Sequence, residues 1–198
     1  MNFLFPFWAG QLTVICGWIL FRLAAYWKNR KITWKYEAIQ LLFLVNLLVI
    51  YRMTFHPFEK LDGRVQPLLF EAATAWPFRI NLIPFVNLLD YESKRDMLLN
   101  IIGNSTMFIP TGIMIPLIYK RKFLQTVGAG FLMSLVIELI QLPFAVRASD
   151  VDDLILNTLG CLVGAGICFL IKVLCRRTGA ARRTRHRPID FSNTSGLS

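Results

Sequence analysis

The stretch that decides the fold is "RASDVDDLILNTLGCLVGAGICFLIKVLC", residues 147–175, where charged side chains pass directly into a long apolar run. About 20 consecutive apolar residues are needed to cross the hydrocarbon core of a bilayer, and residues 154–175 form a run of about that length. The stretch therefore predicts a transmembrane helix with Arg147, Asp150, Asp152 and Asp153 at its entrance. Charges are costly in hydrocarbon, so these residues need a structural or functional reason.

The rest of the chain repeats this pattern. Of its 198 residues 55% are apolar and 17% are charged, a balance typical of a polytopic membrane protein. The five candidate spans are residues 4–27, 36–54, 97–119, 123–144 and 154–175. The predicted fold class is all-α, a polytopic membrane helical bundle of about five transmembrane helices. Pro110 and Pro116 are expected to kink the third helix without ending it.

Lysine and arginine predict the orientation. The connection after the first span, the "KRK" turn at residues 120–122 and the tail after the fifth span are all basic, and all fall on one side of a five-span protein. By the positive-inside rule that side is cytoplasmic, which predicts a multi-pass protein of the cell membrane with its N-terminus outside and its C-terminus cytoplasmic. The basic tail is then a topology signal that can contact anionic lipid, and the net charge of +10 does not make nucleic acid an expected partner.

The chain shows no internal repeat or domain break. We expect one membrane domain over residues 1–178 and a basic cytoplasmic tail over 179–198 that is partly disordered. The outer stretch "PLLFEAATAWPFRINLIPFVNLL", residues 67–89, is too broken to span a bilayer. It is predicted to be interfacial or re-entrant, with Trp76, Phe78 and Phe85 at headgroup depth.

Polar residues within the spans recur at helical spacing. Glu138 and Gln141 are three residues apart, a spacing that places two side chains on one helix face. Residues four apart share a face in the same way, and two such pairs lie at similar depth on neighbouring spans: Asn100 with Asn104, and Asp153 with Asn157. Arg79, Asn81, Arg147 and Asp150 can reach the same rim. The pattern predicts one polar cavity that opens outward or into the outer leaflet.

Structural roles for these residues compete with a functional one. Asp150 or Asp152 can cap the fifth helix, and the asparagines can serve as interhelical hydrogen-bonding groups. Glu138 lies mid-helix and must be protonated or paired with Arg147 or Arg79. Arginines suit planar recognition of phosphate, while a buried glutamate beside aspartates can exchange protons.

The sequence offers no Cys/His spacing of the kind that holds zinc, so we expect no metal site and no cofactor. A divalent cation at the carboxylates is left open as a second possibility.

Four motifs resemble, in order and spacing, those of the VanZ-like membrane proteins. They are "NLIPF" at residues 81–85, "NIIGNSTMFIPTG" at 100–112, "SLVIELIQ" at 134–141 and "RASDVDDLILNTLG" at 147–160, and the similarity covers residues 51–169. The resemblance implies an envelope role in bacteria, since the family is named for a member that confers low-level resistance to teicoplanin. The family pattern more often has an apolar residue where Thr111 stands.

The leading hypothesis is an outward-facing cavity that binds an anionic, lipid-linked envelope component, such as a membrane lipid or a lipid-linked cell-wall precursor. The expected ligand-binding residues are Arg79, Asn81, Asn100, Asn104, Gln141, Arg147 and Asn157. If the protein is an enzyme that modifies such a lipid, the expected catalytic residues are Glu138, Asp150 and Asp153. Two hypotheses stand beside these: an assembly subunit, and a transporter, which would have to form a homo-oligomer because five spans lack a repeat.

Overall fold

Five long helices dominate the computed structural model, which describes residues 2–29, 33–56, 60–61, 64–65, 68–71, 80–86, 90–91, 93–144 and 149–185. Within these ranges the helices are α1 Phe7–Asn29, α2 Trp34–Phe55, α3 Lys94–Ile118, α4 Phe123–Gln141 and α5 Val151–Arg185. Each is long and apolar enough to cross a membrane, which confirms the predicted all-α fold class.

The helix ends differ from the predicted spans at identifiable residues. Leu4 lies in an extended strand, and α1 begins only after Pro6. The fourth helix ends at Gln141 rather than at Phe144, because Pro143 cannot continue a helix. Pro110 and Pro116 lie inside α3, as predicted. The fifth helix continues to Arg185, into the predicted tail, and residues 186–198 lie outside the described part.

Short strands pair segments of the chain for which the sequence analysis predicted no contact. Strand β1 (Asn2–Phe5) pairs antiparallel with β4 (Leu68–Glu71), and β2 (Lys60–Leu61) pairs antiparallel with β3 (Arg64–Val65). Strand β5 (Ile80–Asn81) pairs in parallel with β6 (Ser149–Asp150), directly before α5. The predicted interfacial segment is thus partly strand where it is described, while Trp76 and Phe78 lie outside the described residues.

The core lies where α3 packs against α5, α4 and α2. Close approach of α3 and α5 depends on Gly160 and Gly164, because a Cβ at these positions would collide with the carbonyl oxygens of Ser105 and Ile109. The small residues of "GCLVG", residues 160–164, therefore form a helix-packing face. Phe108 is fully buried beside this contact.

Polar contacts divide the bundle into two ends. We call the site end the one where the C-terminal ends of α2 and α4 meet the N-terminal ends of α3 and α5. There the Gln141 amide donates to the Thr54 carbonyl over 2.7 Å. At the opposite end the Arg22 guanidinium of α1 donates to the Glu37 carboxylate of α2. The predicted pairs of polar residues on α3, α4 and α5 all belong to the site end or to the half of the bundle beneath it.

Candidate functional site

The entrance of α5 holds the buried carboxyl group of α4. The Asp150 backbone N–H donates to Glu138 Oε2 over 3.0 Å, and the Ser149 side chain also hydrogen-bonds to Glu138. Only 4% of the Glu138 surface is exposed. A buried carboxyl group needs such donors to offset the loss of water, so the loop before α5 and the end of α4 are fixed to each other.

Asp150 also caps α5. Its Oδ1 accepts from the Asp152 backbone N–H over 3.0 Å, which satisfies one of the free donors at the helix start. The same oxygen accepts from the Asn81 amide over 3.2 Å. Asp150 therefore combines the capping role with a link to the outer segment.

A second carboxylate holds the outer segment in place. Asp152 is 4% exposed, and its Oδ1 accepts from the Phe85 backbone N–H over 2.7 Å. Phe85 has a φ of 68°, a left-handed conformation that a side chain with a Cβ adopts at a cost. The hydrogen bond to Asp152 and the β5–β6 pairing keep residues 80–86 against the start of α5.

Asparagines of α3 complete one side of the site. The Asn104 amide donates to Asp153 Oδ1 and lies 3.3 Å from Asn100 Oδ1. All three side chains are half-buried. This contact connects α3 to α5 at the level of the carboxyl cluster, where the spacing of the sequence predicted it.

Two of the predicted ligand-binding residues make contacts between helices. Gln141 binds the Thr54 carbonyl of α2, and Asn157 donates to Ser134 Oγ of α4 over 2.9 Å. Both are almost fully buried, at 5% and 1% exposed. Each keeps one buried side-chain oxygen without a hydrogen-bond partner, as does Asp152.

The structure thus brings most of the predicted site residues to one end of the bundle. Asn81, Asp150 and Glu138 form one chain of hydrogen bonds, and Asn100, Asn104 and Asp153 form another. Arg79 and Arg147 lie outside the described residues.

Four residues of this region were not among the predicted site residues: Ser134, Ser149, Asp152 and Tyr91. Ser134 precedes Glu138 by four residues, so helical spacing was the signal that could have found it. Tyr91 lies at the rim and is 40% exposed. Burial raises the pKa of its phenol, and the charges of Asp153, Asp150 and Asp96 raise the pKa further. Asp152 was named only as a possible cap of the fifth helix, and the strand position of Ser149 and the loop position of Tyr91 carry no comparable sequence signal.

Among the described residues, no group of three or more His, Cys, Asp or Glu side chains is arranged to hold a metal ion. The site carboxylates instead accept from separate backbone and amide donors. A divalent cation at this cluster stays a prediction.

Comparison with known proteins identifies a family and a curated relative. A family model described as VanZ/LLP1 matches residues 12–172. Protein VanZ of Enterococcus faecium is 35% identical over 86 residues, which cover 43% of this chain and 49% of that protein. The matched part thus spans about half the length of this curated relative. No solved structure gives a significant match.

Proposed function

The chain belongs to the VanZ/LLP1 family, and from that premise we propose that it acts on the bacterial envelope from within the cell membrane. Its site end binds an anionic, lipid-linked envelope component and thereby lowers susceptibility to teicoplanin. In this proposal the N-terminus is outside and the C-terminus cytoplasmic, so that the site end faces the outer leaflet and the cell wall.

One observation carries the proposal: a chain of hydrogen bonds at the site end reaches a carboxyl group that is buried on α4. It runs from Asn81 through Asp150 to the buried Glu138. Intramembrane ionisable residues are expensive and usually mark a functional site. Several carboxylates meet at the site end: Glu138 of α4, Asp152 and Asp153 of α5, and Asp150 directly before α5.

Two arginines that lie close in sequence to the β5–β6 pair are the reason to propose an anionic lipid as the ligand. Ile80 and Ser149 are direct partners in the β5–β6 pair. In the sequence, Arg79 immediately precedes Ile80, and Arg147 is two residues before Ser149. In the proposal both arginines supply the planar donors that phosphate prefers.

The helix faces beside the site support a hydrocarbon tail. Leu139 and Ile140 of α4 follow Glu138 directly and are 55% and 50% exposed, and Leu159 of α5 is 48% exposed. These side chains would contact acyl chains in a bilayer. A ligand with a charged head and an apolar tail would match both parts of this surface.

An enzyme that modifies the same lipid is the second candidate. The hydrogen bond between Ser149 and Glu138 favours it, because a hydroxyl beside a buried carboxyl group is an arrangement that can transfer a proton. In that case Glu138 acts as acid or base, with Asp150 and Asp153 beside it.

Mass spectrometry of lipids distinguishes the two candidates. Bacteria that express wild type or Glu138→Gln at matched membrane levels would be compared for total lipids and for lipids that co-purify with the protein. A binder retains a specific anionic lipid in wild type, loses it in the variant and leaves the total pool unchanged. An enzyme creates or removes a lipid species only in wild-type cells. If neither the retained lipids nor the pools differ, both candidates are wrong.

A further inference from the structure

A second polar cluster lies at the opposite end of the bundle, between α1, α2 and the end of α3. Its centre is Arg22, which donates through Nη2 to the Glu37 carboxylate and lies 5.2 Å from the centroid of the Tyr36 ring. The side chains of Arg22 and Glu37 are 15% and 27% exposed. This pair joins the two N-terminal helices at the membrane face opposite the site.

Two buried N–H donors of α1 have no hydrogen-bond partner. Trp18 Nε1 and Arg22 Nε are both buried without a hydrogen bond. The two residues are four apart on α1, so the donors lie on one face of that helix. Nε and Nη2 form the edge of the guanidinium that binds an oxyanion in a bidentate manner, and Glu37 occupies only one of its two positions.

A fully buried polar side chain borders the same place. Gln40 is 0% exposed, donates to the Tyr36 hydroxyl over 2.9 Å and keeps its Oε1 without a partner. Because the Tyr36 oxygen accepts this bond, its own O–H is able to donate elsewhere. The cluster thus offers three donors to a ligand oxygen and one acceptor to a ligand hydroxyl.

Charge and lipid access favour a lipid headgroup as the source of that ligand. Arg22 stands six residues before Lys28, the last residue of the α1 span, so its Cα lies about 9 Å inside the helix end and its long side chain can extend toward the membrane surface. Only 6% of the α1 span is buried, so lipid can reach this helix. Exposed Lys120, Arg121 and Lys122 at the same end attract anions.

We propose that the cluster around Trp18, Arg22 and Tyr36 binds the phosphodiester of an anionic phospholipid in the leaflet at this end. Binding moves the Arg22 guanidinium off Glu37, so that Nε and Nη2 grip two phosphate oxygens and the Trp18 N–H donates to one of them. A headgroup hydroxyl, as in phosphatidylglycerol, can donate to Gln40 Oε1. This cluster is separate from the site end, so the lipid assignment and the proposed function can each be wrong without the other.

Native mass spectrometry of the full chain released from nanodiscs would test this inference. The probes are phosphatidylglycerol, phosphatidylcholine and, in a separate arm, inorganic phosphate. Trp18→Phe removes one donor and keeps the aromatic bulk. Trp27→Phe is its matched control, since Trp27 is 79% exposed on the same helix and near the same end. We expect Trp18→Phe to weaken phosphatidylglycerol retention about tenfold and Trp27→Phe to leave it unchanged.

Glu37→Gln should change phosphatidylglycerol retention in the opposite direction. It removes the carboxylate that competes for Arg22, so phosphatidylglycerol retention should rise, whereas a purely structural ion pair predicts no gain. Displacement of the lipid by millimolar inorganic phosphate would show that a free anion is the natural occupant and would overturn the lipid assignment. Equal retention by wild type, Trp18→Phe and Glu37→Gln would overturn the site itself.

Discussion

Removal of the Asp152 carboxylate should release the outer segment from the bundle. Asp152 Oδ1 accepts from the Phe85 backbone N–H over 2.7 Å, and Phe85 is held in a left-handed conformation. A hydrogen bond to a charged group contributes about 1.5–3 kcal/mol net, while the left-handed backbone costs about 1–2 kcal/mol. Without the bond, the strain at Phe85 favours opening of residues 80–86.

Asp152→Ala should therefore increase the opening of this segment by about tenfold to a hundredfold, since 1.4 kcal/mol corresponds to a factor of ten. Local opening is the better measure than global stability, because the variant also removes a desolvated carboxylate whose Oδ2 has no partner. Amide hydrogen exchange, followed by mass spectrometry on a peptide that includes Phe85, reports it directly.

The matched control is Asp96→Ala, which removes an exposed carboxylate from the first turn of α3. Its exchange at residues 80–86 should equal that of wild type. The reasoning is refuted if Asp152→Ala leaves exchange at Phe85 unchanged. It is refuted equally if peptides from α4 accelerate to the same extent, because the effect would then be global.

Three further predictions follow from single contacts. Gly164→Ala places a Cβ against the Ile109 carbonyl oxygen of α3 and should lower stability in thermal unfolding by about 1–3 kcal/mol. Gly166→Ala is the control, because the space around Gly166 is open, and it should leave stability unchanged. Equal effects of the two variants would contradict the packing. Asn46→Leu leaves the buried Thr111 hydroxyl without its acceptor and should cost about 1–3 kcal/mol, and adding Thr111→Val should restore part of the loss; strictly additive losses would argue against the bond. Burial and nearby carboxylates raise the pKa of the Tyr91 phenol above its ordinary value of 10.0. The difference between the ultraviolet titrations of wild type and Tyr91→Phe should therefore have its midpoint above 10.0. A lower midpoint would contradict the geometry.

Helical spacing predicted the part of the site that lies on helices. The similar depth of Asn104 and Asp153 and the position of Glu138 within a span were both predicted from apolar runs interrupted by polar residues three or four apart. These signals are reliable because a span in hydrocarbon has no other way to satisfy a polar side chain than to turn it toward its neighbours.

The loop contacts were not predictable in the same way. A two-residue strand such as β5 has no periodicity, so its parallel pairing with β6 could not be deduced. Helical spacing also does not predict which hydrogen-bond partner a polar side chain contacts. The amide of Gln141, a predicted ligand-binding residue, donates to the carbonyl of Thr54 and joins α4 to α2.

Thr111 departs from the family pattern, which more often has an apolar residue at this position. The structure makes it a buried donor to Asn46 Oδ1, and the Asn46 amide in turn donates to the Met107 carbonyl over 2.9 Å. A hydroxyl in an apolar span requires such an acceptor on a neighbouring helix. The departure from the pattern is thus matched by a residue on α2.

The most direct test of the proposed function is the minimum inhibitory concentration of teicoplanin for bacteria that express this protein. Wild type, Glu138→Gln and the acid-to-amide control Asp96→Asn would be compared at equal membrane levels, with folding checked by thermal unfolding. The proposal predicts that wild type and Asp96→Asn raise the inhibitory concentration and that Glu138→Gln does not. Equal protection by folded wild type and folded Glu138→Gln would contradict a role for the buried carboxyl site.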